Sequence, residues 1–254
     1  MLTGKKTLYA FGDSFTYGHG FPDCLTSITG PSIFPYPNIL AKKYGYDLKN
    51  CSAPGSSPLA QFYRFHFKYP EMQSGDVVTF LWPFSMRSAI LNEQRIEDIN
   101  DRSPFPIEEV MIMPGDATAM GPDNETVIDL EQWYMDYTSS FHSVILLTTY
   151  MNSVLQMCKA KNIKCCQLLL HCRDLSDIRL LQHKNIEHTA HFRDWQLQSN
   201  SLEIYIRDDR TRNRINKSLK LDCGFLPDGH FNLDAHKLWA QIFSKKISNL
   251  ELDI

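Results

Sequence analysis

Ser14, Asp228 and His230 are the residues whose types and spacing can do chemistry. Ser14 stands in Phe11-Gly12-Asp13-Ser14-Phe15, directly after the apolar run Thr7-Leu8-Tyr9-Ala10, which reads as a short buried strand. A serine at the carboxyl tip of a first strand, beside a glycine that permits a sharp turn, is presented to a crevice in an α/β protein. Near the far end, Pro227-Asp228-Gly229-His230-Phe231-Asn232 sets a carboxylate two residues before an imidazole. A serine, a histidine to take its proton and an aspartate to orient that histidine are the minimum set for acyl transfer. In a loop, a turn can bring the Asp228 carboxylate to His230 Nδ1 and leave Nε2 for Ser14. His236 is the competing base, but it falls inside the apolar-periodic segment Leu233-Asp234-Ala235-His236-Lys237-Leu238-Trp239-Ala240, where packing is the simpler role. His183, His188 and His191 sit in a polar stretch, and their spacing matches no zinc motif. No metal and no cofactor is expected.

Positioning these groups requires alternating strands and helices. After the first strand, a loop rich in Gly, Pro, Ser and Thr runs from Gly18 to Ser32, longer than an ordinary βα connection and placed to line the site. Phe34 to Tyr44 reads as a helix stopped by Gly45, and Tyr46 to Cys51 as a second strand. Pro58 to Tyr69 carries Leu59, Phe62, Tyr63 and Phe67 at helical spacing. Val77 to Trp82 is the most strand-like run of the chain and predicts a central strand buried on both faces. Pro83 to Tyr137 has weak periodicity and many turn residues, so it reads as a partly helical insertion able to cap the crevice. Thr138 to Lys161 predicts a long helix and Asn162 to Leu170 a fourth strand. Leu175 to Lys220 is polar, with mixed charge from Arg207 to Arg214. A short fifth strand is expected within Leu219 to Phe225, before a closing helix from Leu233 to Leu250. Such alternation without hairpin signals argues a parallel, doubly wound sheet with its site at the carboxyl ends of the strands. Residues 1–254 are read as one domain carrying that insertion.

Together these residues resemble the SGNH (GDSL) hydrolases. The resemblance is carried by Gly12-Asp13-Ser14 after strand one, by Gly55 in Asn50-Cys51-Ser52-Ala53-Pro54-Gly55-Ser56-Ser57 after strand two, and by the late Asp228/His230 pair. It covers roughly the first ninety residues and the last forty. It implies a flavodoxin-like three-layer α/β/α fold, Ser14 as nucleophile, His230 as base and Asp228 as the third triad member. It also implies an oxyanion hole from the backbone N–H groups of Ser14 and Gly55 and an asparagine of a Gly-x-Asn-Asp block after the third strand. That block is absent, because the strand runs into Trp82-Pro83-Phe84-Ser85-Met86-Arg87. Aligned by the strand, Ser85 falls near the missing asparagine and is read as its substitute donor. The family also spaces the late pair more often as Asp-x-x-His than as the Asp-x-His seen here.

Asp13, Trp82 and Arg87 are read as substrate-binding, Arg87 as a group for a carbonyl or an acidic substituent. Tyr17, Phe21, Phe34, Tyr36, Trp82 and Phe84 offer an aromatic mouth for a sugar or acyl chain, although core packing explains most of them equally well. The expected activity is hydrolysis of a small acyl ester, acetyl above all, on a carbohydrate. The alternatives are a non-catalytic relative that binds a glycan or protein, and an acyltransferase with an acceptor other than water.

Composition sets outer bounds. The 26 basic and 29 acidic side chains leave a formal charge of -3, which gives no field to gather nucleic acid or an anionic membrane. No apolar run approaches a membrane span or a signal-peptide core. Seven cysteines without framework spacing point to buried thiols and a reducing, cytoplasmic setting. Neither a nucleic-acid nor a membrane partner is expected; oligomeric state is left open.

Overall fold

The computed structural model describes residues 4–24, 30–85, 87–91, 109–112, 140–170 and 209–249. Four parallel strands form its sheet: β1 (Thr7–Phe11), β2 (Asp47–Asn50), β3 (Val77–Trp82) and, numbered in chain order, β6 (Lys164–Leu169). Their spatial order is β2-β1-β3-β6. The chain thus leaves β1 for one neighbour and returns to the other side for β3. That reversal opens a crevice at the carboxyl ends of β1 and β3, the place where open α/β sheets bind ligands.

Alternation along the strands divides the core into two layers. Leu8 of β1 and Val77 and Leu81 of β3 face one side, packed with Tyr36, Leu40, Trp239 and Phe243. These belong to α2 (Tyr36–Tyr44) and, last of the six α-helices among the described residues, α6 (Leu233–Asn249). Tyr9 and Phe11 of β1 and Val78, Phe80 and Trp82 of β3 face the other side, packed with Phe65, Val144, Leu147 and Met151. That layer is α3 (Pro58–Lys68) and α4 (Ser140–Ala160). All six residues of β3 are buried, as a strand covered on both faces requires. The result is a three-layer α/β/α fold of flavodoxin-like form.

Local chemistry explains the helix ends. Ser57 Oγ accepts the Ala60 N–H at the start of α3, with Pro58 in the first turn. Asn232 Oδ1 does the same for Ala235 at the start of α6. Two helices were not expected as such. α1 (Ser14–Tyr17) is a single turn after the serine, and α5 (Asp209–Leu219) occupies part of the polar, mixed-charge stretch. Its main inward anchors are Ile215, packed against the first core layer, and Asn216, so the apolar periodicity that marks a helix is thin.

One stretch gains strands and one expectation is corrected. Among the described residues of the stretch read as a partly helical insertion, β4 (Ser88–Leu91) pairs antiparallel with β5 (Glu109–Ile112). Runs of four residues are too short for periodicity to separate strand from helix. In place of a fifth strand, residues 221–224 are irregular, and only a single bridge joins Phe225 to Phe231. Asn216 occupies the polar groups a sheet neighbour would have taken, bonding both the N–H and the C=O of Cys223. His183, His188, His191, Cys172 and most of residues 83–137 lie outside the described residues. The six described cysteines are free thiols, and burial pushes Cys51 and Cys166 up to about 12. No described helix is long and apolar enough to cross a membrane.

Candidate active site

Three segments converge above the carboxyl ends of β1 and β3. The first is the turn after β1. Asp13 is fully buried, and its Oδ1 accepts the Phe15 N–H at 3.1 Å to cap α1. Its Oδ2 accepts from Arg87 Nη1 at 2.8 Å. Gly12 is obligatory for this turn, since a Cβ there would lie 1.9 Å from Thr16 Oγ1. Ser14 itself is partly accessible and opens the one-turn helix.

The second segment is the loop after β2. Ala53 N–H donates to Gly12 O at 3.2 Å, which ties the loop to the serine turn. Asn50 bridges further, its Nδ2 donating to Thr16 O and its Oδ1 accepting from Ser52. Gly55 sits in this loop with φ +74°, and buried Arg64 holds the neighbouring Ser56 hydroxyl at 2.5 Å. The third segment is residues 83–85 and 87 after β3. Arg87 N–H closes a turn on Phe84 O at 3.0 Å, and buried Ser85 lies within that turn. The Asp13–Arg87 ion pair fastens it to the serine turn.

From the far end of the chain, the loop before α6 brings in the imidazole. Asp228 Oδ2 lies 3.0 Å from His230 Nδ1, and Oδ1 accepts the His230 backbone N–H at 3.0 Å. Partial desolvation pushes the Asp228 carboxyl up, but the His230 N–H, the His230 charge and its side-chain hydrogen bond outweigh this and hold it below the usual carboxylate range. The loop is braced by Asn232, whose side chain bonds Gly224 N and Asp222 O, and by Asp234, which accepts from Asp222 N. The His230 ring packs against Phe15, the residue after the serine, with centroids 5.1 Å apart. Phe15 also meets Phe231 and Trp239, so the two ends of the chain share one aromatic cluster.

The structure therefore gathers Asp13, Ser14, Arg87, Asp228 and His230 around one turn. Trp82 lies elsewhere: its ring is fully buried, stacked on Phe80 at 4.4 Å, and its Nε1 donates to Gln167 Oε1 at 2.8 Å. It faces the α3/α4 layer, because Trp82 shares the parity of Val78 and Phe80 along β3. Asp13 and Arg87 bond to each other and to the backbone of their turns. His236 is buried beside Trp239 and Phe21, and burial followed by the charge of His230 pushes it down to about 3.

Sequence reasoning missed His19 and Gly20. The His19 ring lies 5.1 Å from that of His230, and a Cβ on Gly20, whose φ is +89°, would come within 2.2 Å of Asp228 Oδ2. The available signal was a histidine between two glycines, Gly18 and Gly20, shortly after the serine. Among the described residues, no cluster of three or more His, Cys, Asp or Glu side chains is disposed to hold a metal.

No family model matches the chain, and no curated protein sequence matches it. Among solved structures the chain is similar to a member of the G-D-S-L lipolytic family from Veillonella parvula, at 11% identity over 93% of this chain and 94% of that one, with a TM-score of 0.43. A Bacillus subtilis protein, YxiM, is similar at 11% identity over 97% of this chain and 57% of its own, TM-score 0.45. A point variant of an acetyl-xylooligosaccharide esterase from a Geobacillus species is similar at 14% identity over 97% of this chain and 96% of that one, TM-score 0.41.

Proposed function

We propose that this protein is a serine esterase of the SGNH (GDSL) type, removing a small acyl group, acetyl above all, from an alcohol such as a carbohydrate. The observation that carries the reading is the Asp228–His230 pair seated on Phe15, one residue from Ser14. In the proposed cycle Ser14 Oγ attacks the ester carbonyl while His230 Nε2 takes its proton. Asp228, kept ionised, holds the Nδ1–H tautomer and stabilises the imidazolium. The tetrahedral oxyanion receives the Ser14 and Gly55 N–H groups and, in place of the absent asparagine, the Ser85 hydroxyl. The C–O bond to the alcohol breaks, and His230 gives its proton to the leaving oxygen. Water, activated by the same imidazole, then releases the acid and restores Ser14.

The absent Gly-x-Asn-Asp block supports a second reading, a non-catalytic module that binds an acylated glycan or a protein in the same crevice. Release of p-nitrophenol from its acetate ester by wild type and Ser14→Ala separates the two. The esterase reading expects the variant to lose at least ~100-fold in kcat. Equal rates, or no turnover together with failure of a fluorophosphonate to label Ser14, would remove the serine from the chemistry.

A further inference from the structure

His19 belongs to no role assigned so far, yet the turn that carries it touches all three residues of the proposed triad. The N–H groups of Gly18 and His19 both donate to Ser14 O, at 2.9 and 3.0 Å. The His19 ring packs on the His230 ring, centroids 5.1 Å apart and tilted by 50°, the same distance at which Phe15 packs on that ring. Gly20 lies so close to the Asp228 carboxylate that a Cβ there would have to displace it.

One ring nitrogen of His19, Nδ1, is buried without a hydrogen-bond partner. A buried orphan acceptor is tolerated better than a buried orphan N–H, and a neutral imidazole carries one of each. With Nδ1 the orphan acceptor, Nε2 carries the proton of the neutral ring, and it carries one in the imidazolium as well, so that edge is a donor. A phenylalanine would pack on His230 equally well without desolvating a nitrogen, so the polar edge points to a use for Nε2–H.

We propose that His19 is a substrate-binding residue whose Nε2–H donates to an oxygen on the alcohol half of the ester. His230 returns its proton to the leaving oxygen, so a ring packed against that imidazole borders the alcohol side of the crevice. His19 then selects alcohols that carry a second oxygen beside the esterified one, as sugars and other polyols do. The alcohol-side placement rests on the esterase reading; the contact between His19 and a polyol ester does not.

The test compares kcat/KM for an acetylated methyl glycoside with that for p-nitrophenyl acetate, which lacks the neighbouring oxygen. In His19→Phe the glycoside-to-aryl ratio should fall ~10-fold, the loss of one hydrogen bond, and His19→Gln, which keeps an N–H donor, should recover most of it. A ratio unchanged in His19→Phe, or equally reduced in His19→Gln, would overturn the proposal. If wild type hydrolyses neither ester, the esterase reading fails and His19 is judged by binding of the acetylated glycoside to Ser14→Ala. About tenfold weaker binding by Ser14→Ala/His19→Phe upholds the contact, whereas equal affinity, or binding by neither, removes it.

Discussion

His236→Leu tests which late histidine is held out of the chemistry, and its effect is worked from burial. His236 is 1% exposed, packed edge-on to Trp239 at 4.9 Å and against Phe21 at 5.4 Å, with no partner for Nδ1. Burial, and then the charge of His230, lowers it from 6.5 to about 3. Because the folded value lies below the unfolded one, the unfolded chain takes up the proton first. The contribution to stability is complete above about 6.5 and is lost as pH falls from there towards about 3. The slope is ~1.4 kcal/mol per pH unit, so between about pH 7.5 and about pH 5 wild type should lose roughly 2 kcal/mol through this side chain. Leucine has similar volume, does not titrate, and removes an unpaired buried nitrogen. At about pH 7.5 the variant should match wild type or exceed it by up to about 1 kcal/mol, and the gap should widen by roughly 2 kcal/mol at about pH 5. Urea unfolding followed by circular dichroism at the two pH values measures this, with an unchanged m-value as the check on two-state behaviour. A gap independent of pH would refute the reasoning, because His236 would then accept a proton as readily folded as unfolded. Esterase turnover should survive the substitution, since the proposed base is His230.

Two further outcomes follow from the site. Arg87→Met leaves the fully buried Asp13 carboxylate without its cation and should cost about 3 kcal/mol in urea unfolding, while Asp13→Asn/Arg87→Met recovers part of it; additive single effects would mean the pair is not coupled. Gly20→Ala forces a methyl onto Asp228 Oδ2 at a positive φ, so kcat on p-nitrophenyl acetate should drop by more than ~10-fold for a stability loss of about 1 kcal/mol. Unchanged kcat would show that the carboxylate does not orient the imidazole.

Much of the frame was legible because its signals are local. Val77 to Trp82 announces itself as a buried strand by uninterrupted apolar and β-favouring residues, and Thr138 to Lys161 as a helix by period. The Asp228–His230 contact needs only a two-residue turn. Helix α5 and the β4/β5 ladder were not legible, since one is too polar and the other too short for periodicity to speak. Trp82 marks another limit: in a strand apolar on both faces, nothing in the order of residues says which face points to the crevice, and its parity with Phe80 sends it into the α3/α4 layer.

Residue order by itself therefore determined the alternation of strands and helices and the candidate serine, histidine and aspartate, because each depends on neighbours within a few positions. Tertiary structure alone decided which of them meet. The Asp13–Arg87 pair spans 74 residues, and the contacts of Phe15 and His19 with His230 join the two ends of the chain. Such contacts arise only when strand order in the sheet brings the tips of β1 and β3 beneath the loop that precedes the last helix, a packing outcome that no short window of sequence contains.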